Sequence, residues 1–136
     1  MLELNVTNLI LTLFCMIFMH IIADYIVQTD LLAKLKVNRN WDQIRKDNPQ
    51  FKWKYDYVMV LFLHSFSWTF MIMIPVLLID LDLRFILGNI VLHTILHMEI
   101  DDMKANQHSI TFLEDQLLHF VQILVILLFE GYRLMI

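Results

Sequence analysis

The chain has 136 residues, of which 59% are hydrophobic and 18% are charged, and its mean hydropathy is +0.62. A soluble domain is nearer half apolar and a quarter charged, so this composition argues against a soluble domain. One cysteine excludes an internal disulfide, while the formal net charge of −4 says little, because the charges are unevenly placed. We expect an all-α fold, with one integral membrane domain over residues 1–136 built as a bundle of four transmembrane helices.

Four apolar segments follow one another along the chain, and each is predicted to cross the membrane. The first two reach the roughly 20 residues that a spanning helix needs, whereas the third is short and the fourth reaches that length only with its charged end. The first is expected to be a retained span and not a cleaved signal peptide, because it has no basic leader and contains His20 and Asp24. The predicted spans are residues 6–27, 57–79, 85–100 and 117–136.

Basic residues are concentrated between the first two spans, and this asymmetry predicts the orientation of the bundle. Seven of the ten lysines and arginines lie there, one lies between spans three and four, and two lie on the opposite side. By the positive-inside rule, the charged loop 28–56 and the loop 102–114 face the cytoplasm, and both termini face outward. The basic loop is interpreted as a topology signal that also contacts anionic lipids. Nucleic acid is not an expected partner, because aspartates dilute the basic charge.

Histidines and aspartates at a spacing of four positions are the most informative feature of the spans. Residues i and i+4 share one face of a helix, so each pair can approach one metal ion from the same direction. An ionisable group within a membrane span is costly, so such residues are candidates for a functional site. The set consists of His20/Asp24, His64 alone, His93/His97, His97/Asp101 and Asp115/His119.

These residues are expected to meet at one depth of the bundle. Spans one and three should end on the cytoplasmic side, where spans two and four begin, and each span has its histidine or aspartate at that end. With a rise of about 1.5 Å per residue, the set occupies a layer of roughly 10–15 Å at the inner leaflet. A single histidine in a bundle is more often a hydrogen-bonded structural residue, and for His64 that interpretation stays open.

The set of donors predicts a divalent-metal site. Eight imidazoles and carboxylates exceed the four ligands of one tetrahedral zinc ion, so they suit two ions, or one ion whose ligands are oriented by neighbouring residues. Zinc is the expected metal, and manganese or iron would also suit these donors. The candidate ligands are His20, Asp24, His64, His93, His97, Asp101, Asp115 and His119.

Three motifs in and around the spans resemble those of an uncharacterised family of small integral membrane proteins from bacteria and phages, the domain of unknown function 3307. The motifs occur in the same order as in the family, and the resemblance extends over nearly the whole chain. They are HIIADYIVQTD at residues 20–30 followed by Ala33-Lys34, then His97-x3-Asp101-x2-Lys104, then Asp115-Gln116-x2-His119.

The resemblance implies a helical protein of the bacterial inner membrane, and it implies no activity, because none is established for the family. More distantly, the His-x3-Asp end of the third span is similar to that of predicted membrane-bound metal-dependent hydrolases, which implies hydrolysis. The motifs also draw attention to substrate-binding candidates at the membrane surface, namely Gln28, Lys34, Lys104 and Gln116. Ion pairs with nearby acids are the alternative interpretation of the two lysines.

The expected function is hydrolysis of an ester or phosphoester of a lipid-linked or amphiphilic substrate at the cytoplasmic leaflet. A bound metal ion would lower the pKa of a water molecule toward neutral pH. Asp24 or Asp115 would be the catalytic general base, and Lys34 or Lys104 would hold a phosphate. The lipid bilayer is the expected partner, and a homo-oligomer is left open.

Three other functions stay open from the sequence. Histidine and aspartate relays occur in transporters of protons or metal ions, although here the donors stop at one leaflet, so a homo-oligomer would have to complete the path. Two histidines could be the axial ligands of a haem, either His20 with His64 or His93 with His119. A non-enzymatic small membrane protein of phage or bacterial type would need no histidine cluster.

Overall fold

The computed structural model of the chain describes residues 6–50, 54–79 and 81–135. Within these ranges the fold is all-α, with four long helices, two short helices and no β-strand. Residue 136, where the predicted fourth span ends, lies outside the described residues. The helices are α1 (Val6–Ile21), α2 (Asp30–Leu35), α3 (Asn38–Asp47), α4 (Asp56–Leu77), α5 (Leu83–Asp102) and α6 (Phe112–Met135).

Four helical stretches are long and apolar enough to cross a membrane, which confirms the predicted number of such helices. Large apolar side chains on these helices point outward, among them Phe14 of α1, Leu92 of α5 and Leu128 of α6. Exposed apolar surface on every long helix is typical of a protein surrounded by lipid, so the structure indicates a membrane protein. The stretches are Thr7–Val27, Asp56–Leu77, Leu83–Gln107 and Phe112–Arg133.

The third and fourth long helices begin earlier than the hydrophobic pattern predicts, because polar residues cap them. α5 begins at Leu83 and not at residue 85, since Asp82 Oδ1 accepts hydrogen bonds from the backbone N–H groups of Arg84 (3.0 Å) and Phe85 (3.3 Å). α6 begins at Phe112 and not at residue 117. Its start is a capping box, in which Glu114 Oε2 accepts from the Thr111 N–H (2.7 Å) and Thr111 Oγ1 accepts from the Glu114 N–H (3.3 Å).

The segment predicted as a charged loop between the first two spans contains the two short helices. Thr29 caps α2 by accepting a hydrogen bond from the Leu32 N–H (3.2 Å). The turn between α2 and α3 is attached to the end of the third long helix through Asn106, whose Nδ2 donates to the Lys36 carbonyl (3.1 Å) and whose Oδ1 accepts from the Asn38 N–H (2.7 Å). The short helices therefore lie against one end of the bundle.

The core lies among the four long helices, in which α4 and α6 each pack against both α1 and α5. The largest fully buried apolar side chains there include Trp68, Met16, Ile72 and Ile123. Within a bilayer, close packing and interhelical hydrogen bonds hold helices together, because lipid tails are as apolar as the side chains. α4 packs closely against α1 and α5, and it is the most buried of the four long helices.

Two π-helical turns end the first and third long helices, one at Ile22–Val27 and the other at Met103–Gln107. The first closes with a hydrogen bond of the wide π type, from the Gln28 N–H to the Ala23 carbonyl (3.1 Å). Such turns are rare and often occur at functional sites. Both lie where α1 and α5 end and where α4 and α6 begin, which we call the site end of the bundle.

The opposite end of the bundle, which we call the far end, is closed by an ion-pair network. Arg133 donates from Nη2 to Glu130 Oε2 (2.8 Å) and from Nη1 to Asp82 Oδ2 (3.2 Å). The guanidinium also lies 4.5 Å from the ring centroid of Phe85. This network joins the end of α6 to the start of α5, and the hydrophobic pattern of the sequence gave no indication of it.

Candidate metal centre

Side chains from all four long helices converge at the site end. The π-helical turn after α1 supplies Asp24, α4 supplies His64, α5 supplies both His97 and Asp101, and α6 supplies His119. Four of the five are buried, and Asp24 is partly exposed. The helices run in alternating directions, so residues far apart in sequence reach the same depth of the bundle, as expected from the sequence.

These five residues form two overlapping groups that share His97. One group contains Asp24, His64 and His97, and the other contains His97, Asp101 and His119. Within each group, one ligand atom from each side chain lies within 4.8 Å of the others. Each group offers the nitrogen and oxygen donors that zinc, manganese and iron accept.

No hydrogen bond joins the ligand atoms whose separations follow. His64 Nε2 lies 3.4 Å from Asp101 Oδ2 and 3.6 Å from Asp24 Oδ1. His119 Nε2 lies 4.0 Å from Asp101 Oδ1. Two ligands of one tetrahedral zinc ion lie roughly 3.4 Å apart when each is about 2.0–2.1 Å from the metal. The observed separations therefore match, or slightly exceed, those between neighbouring ligands of one ion.

Several donor atoms of this cluster are buried without a hydrogen-bond partner among the described residues. They include both ring nitrogens of His97, both ring nitrogens of His119, and His64 Nε2. A buried polar atom without a partner costs about 1–3 kcal/mol, so several together would be a large penalty for a small bundle. Coordination of a divalent cation would satisfy one nitrogen of each ring, and the donor set therefore fits a metal centre.

His20 lies at the edge of the cluster and is hydrogen-bonded through both ring nitrogens. The indole N–H of Trp68 donates to His20 Nδ1 (2.8 Å), so Nε2 has the hydrogen and donates to Gln116 Oε1 (3.2 Å). His20 Nδ1 is also 3.7 Å from Asp24 Oδ2. Although it is a predicted ligand, His20 is outside both candidate groups. In this arrangement it contacts Asp24 and anchors Gln116.

Trp68 forms an apolar wall of the cluster, which the sequence pattern did not predict. Its ring lies 4.2 Å from that of His97, and His97 in turn stacks on His119 at 4.2 Å. In the sequence Trp68 is one more apolar residue of the second span, so only its burial and stacking distinguish it. The wall restricts His97 to one orientation, as the fixed ligands of metal sites require.

Two other predicted ligands are in hydrogen-bonded pairs away from the cluster. His93 lies one turn before His97 and its Nδ1 is 3.2 Å from Gln122 Oε1. Asp115 Oδ2 accepts from Lys104 Nζ (2.6 Å) and from Gln116 Nε2 (3.0 Å). Neither residue belongs to a candidate group in the described part of the chain. Both residues are buried, and His93 Nε2 and Asp115 Oδ1 also lack a hydrogen-bond partner among the described residues.

Lys36 is the principal charged residue of the site that the sequence interpretation did not select. Its side chain is buried, with Nζ 2.6 Å from Asp101 Oδ2 and 2.9 Å from Gln28 Oε1. Lys34, the residue expected to contact a substrate, is exposed on α2. Lys36 is one of seven basic residues between the first two spans, and nothing in its spacing distinguishes it from the others.

A polar cavity of about 290 Å³ lies next to the cluster. Carboxylates of the cluster form part of its wall, and so does Tyr25, whose side chain is 55% exposed. The cavity therefore connects the buried donors with the surface at the site end. The predicted substrate-binding residues Gln28, Lys104 and Gln116 line it, and Lys36 takes the position expected of Lys34.

The fold and the cluster together define an all-α protein with four membrane-length helices and a buried histidine–aspartate centre. The chain belongs to the family described as Protein of unknown function (DUF3307), whose model matches residues 11–134. This match includes all three motifs on which the resemblance rests. No curated protein and no solved structure matches the chain.

Proposed function

We propose that this is an integral membrane protein with a divalent-metal centre that hydrolyses an ester or phosphoester of an amphiphilic substrate. The supporting observation is the set of buried imidazole nitrogens that lack hydrogen-bond partners among the described residues and lie at ligand spacing from two aspartates. Zinc is the first metal to test, because nitrogen and carboxylate donors in a buried site suit it well. Five donors also leave room for a second ion.

The proposed location of the centre is the cytoplasmic leaflet of a bacterial inner membrane. The site end is where the basic segment between α1 and α4 lies, and basic segments are retained on the cytoplasmic side. Both termini would then face outward. A centre at this depth suits a substrate whose head group is in water and whose apolar part is in the bilayer.

The residues of the centre would divide the chemical roles between them. His64, His97, His119 and Asp101 would hold the metal, which when bound would supply an activated water and a Lewis acid. Asp24 is the better candidate for the general base, because it belongs to the cluster and also lines the cavity. Asp115 is hydrogen-bonded to Lys104, so its proposed role is to position that lysine.

Elemental analysis of the purified protein in detergent tests the metal centre. The wild type is expected to retain one or two divalent ions per chain, and His97→Gln is expected to lose them, because His97 belongs to both ligand groups. His108→Gln is the matched control, since His108 is exposed in the turn before α6. Full metal content in His97→Gln, with its helicity intact, would exclude this centre.

Hydrolysis is tested separately with metal-loaded protein and short-chain substrates. We expect release of phosphate or carboxylate from a micellar ester, and at least a hundredfold lower kcat in Asp24→Asn, since a general base typically contributes about 10²–10⁴-fold. Metal content is measured in the same preparations. If the metal-loaded wild type hydrolyses neither a carboxylic ester nor a phosphoester, the protein binds metal but does not have the proposed hydrolase activity.

Transport of protons or metal ions is the second candidate function. The pair of His93 and Gln122 extends the buried polar groups one turn beyond the cluster toward the far end. Beyond this pair, Ile123 and Ile126 fill the core completely. A flux assay in liposomes separates the two functions, because a transporter would move zinc or protons across the bilayer and a hydrolase would not.

A further inference from the structure

The polar cavity beside the cluster has the chemistry of a site for an anionic group. Two ammonium groups line it, those of Lys36 and Lys104, and each is already paired with a carboxylate at 2.6 Å. Gln28 and Gln116 add amide groups to the same wall. Lysine is a common partner of phosphate, which it contacts as a compact point charge.

The charges around the cavity do not favour an anion unless a metal ion is bound. Three aspartates line the cavity against the two lysines, so its formal charge is negative, and Asp115 beside Lys104 adds to this. One divalent cation at the cluster would neutralise this negative charge. It would also compete with Lys36 for Asp101, because Asp101 belongs to a candidate ligand group and is the ion-pair partner of Lys36.

We propose that the cavity binds the phosphate group of a phosphoester, and that it does so only when the cluster holds a metal ion and Lys36 turns from Asp101 to the phosphate. This inference rests on the proposed metal centre and narrows its substrate from esters in general to phosphate esters. Lys36 is the specificity-determining residue. Lys104 assists from the opposite side of the site, where Asp115 positions it.

The rim of the cavity indicates where the rest of the substrate would lie. Phe112 lines the cavity, is largely exposed, and has Lys104 Nζ 4.9 Å from its ring centroid. Tyr25 and Ile26 of the neighbouring π-helical turn are also exposed. An apolar rim beside two lysines suits an amphiphile whose phosphate enters the cavity while its chain remains in lipid.

Calorimetric titration of the full chain in detergent tests the order of binding. Zinc-loaded protein is compared with metal-free protein, and the probes are inorganic phosphate and a short-chain phosphatidic acid. We expect phosphate to bind the zinc-loaded form at least tenfold more tightly. Tighter binding of phosphatidic acid would identify a lipid head group, and equal binding would identify a soluble phosphate, so both results support the inference.

Matched lysine variants test the residue assignment. Lys36→Met is expected to weaken phosphate binding by about tenfold or more without lowering zinc content, because a charged hydrogen bond is lost. Lys34→Met, two residues away and exposed, should change phosphate affinity less than twofold. Equal losses in the two variants would overturn the assignment, because only general surface charge would then matter.

The two proposals fail in distinguishable ways. Zinc that is retained without any phosphate binding would overturn this inference alone, whereas a wild type that retains no metal would overturn the metal centre and this inference with it. Equal phosphate affinity of the zinc-loaded and metal-free forms would overturn the dependence on metal. The comparison of the zinc-loaded and metal-free forms uses wild-type protein, so it tests the dependence of phosphate binding on metal even if Lys36→Met does not fold.

Discussion

Buried charged groups have different kinds of partners at the two ends of this bundle. At the far end, the carboxylate of Glu130 is fully buried and its Oε2 is bonded to Arg133, which also contacts Asp82. At the site end, Asp101 is likewise paired with Lys36, but His64 Nε2 and the ring nitrogens of His97 and His119 have no hydrogen-bond partner among the described residues. Paired charges of the first kind hold helices together. Donors of the second kind could bind a further cation, as proposed above for the site end.

Breaking the ion pair of the site end should have the largest effect on stability. Asp101→Leu leaves the Lys36 ammonium buried without its carboxylate, and we expect a loss of about 3–5 kcal/mol in the free energy of unfolding. The double variant Lys36→Met/Asp101→Leu should recover most of this loss, because an apolar pair of similar volume replaces the ion pair. Unfolding in detergent, followed by circular dichroism, measures both.

Measuring the metal content of the same variants separates a loss of stability from a loss of metal binding. The double variant should remain without metal although it is stable, since a ligand is missing. Asp30→Leu is the control, because Asp30 lines the same cavity but is exposed and outside both ligand groups. Metal binding at wild-type level in the double variant would show that Asp101 is a structural partner of Lys36 and not a ligand.

Removing the buried charge of the far end should have a smaller effect, and only on stability. Glu130→Gln keeps the shape of the side chain but weakens its bonds to Arg133, which is partly exposed. We expect a loss of about 1.5–3 kcal/mol, the range for a hydrogen bond to a charged group, with unchanged metal content. If Glu130→Gln also reduced metal content, the two ends would be coupled and the contrast between them would be incorrect.

Removing the cap of α6 should have the smallest effect, although it lies close to the cluster. Thr111→Ala deletes the hydroxyl that accepts from the Glu114 N–H, and the expected loss is about 1 kcal/mol. Thr111→Ser keeps the oxygen and should behave as the wild type. A change in metal affinity in Thr111→Ala alone would show that the start of α6 positions His119 more strictly than the cap energy suggests.

The spans and the convergence of the cluster could be predicted because both follow from periodicity. His64 illustrates this best: it has no partner at i+4, yet the alternating helix directions predict its depth, and its Nε2 lies 3.4 Å from Asp101. The same spacing also selects His93 and Asp115, which lie outside both candidate groups. Residues at i and i+4 share a helix face over about 6 Å of its length, so the outer member of a pair can lie beyond the cluster.

Residues that depend on tertiary contacts could not be predicted. Lys36 reaches Asp101 only because Asn106 holds the turn between α2 and α3 against the end of α5. The two π-helical turns likewise have no local sequence signature. The start of α6 is different, because the Thr111-x-x-Glu114 capping box could have been recognised in the sequence.

Because every long helix contributes to the cluster, the order of biosynthesis restricts when it can form. Asp24 enters the membrane with the first long helix and His119 only with the last, and His97 lies between them. The group of Asp24, His64 and His97 has all its residues once α5 is in place, whereas the group of His97, Asp101 and His119 also needs α6. The proposed metal-binding site would thus be completed only when α6 docks, and its occupation would stabilise the finished bundle over partly assembled ones.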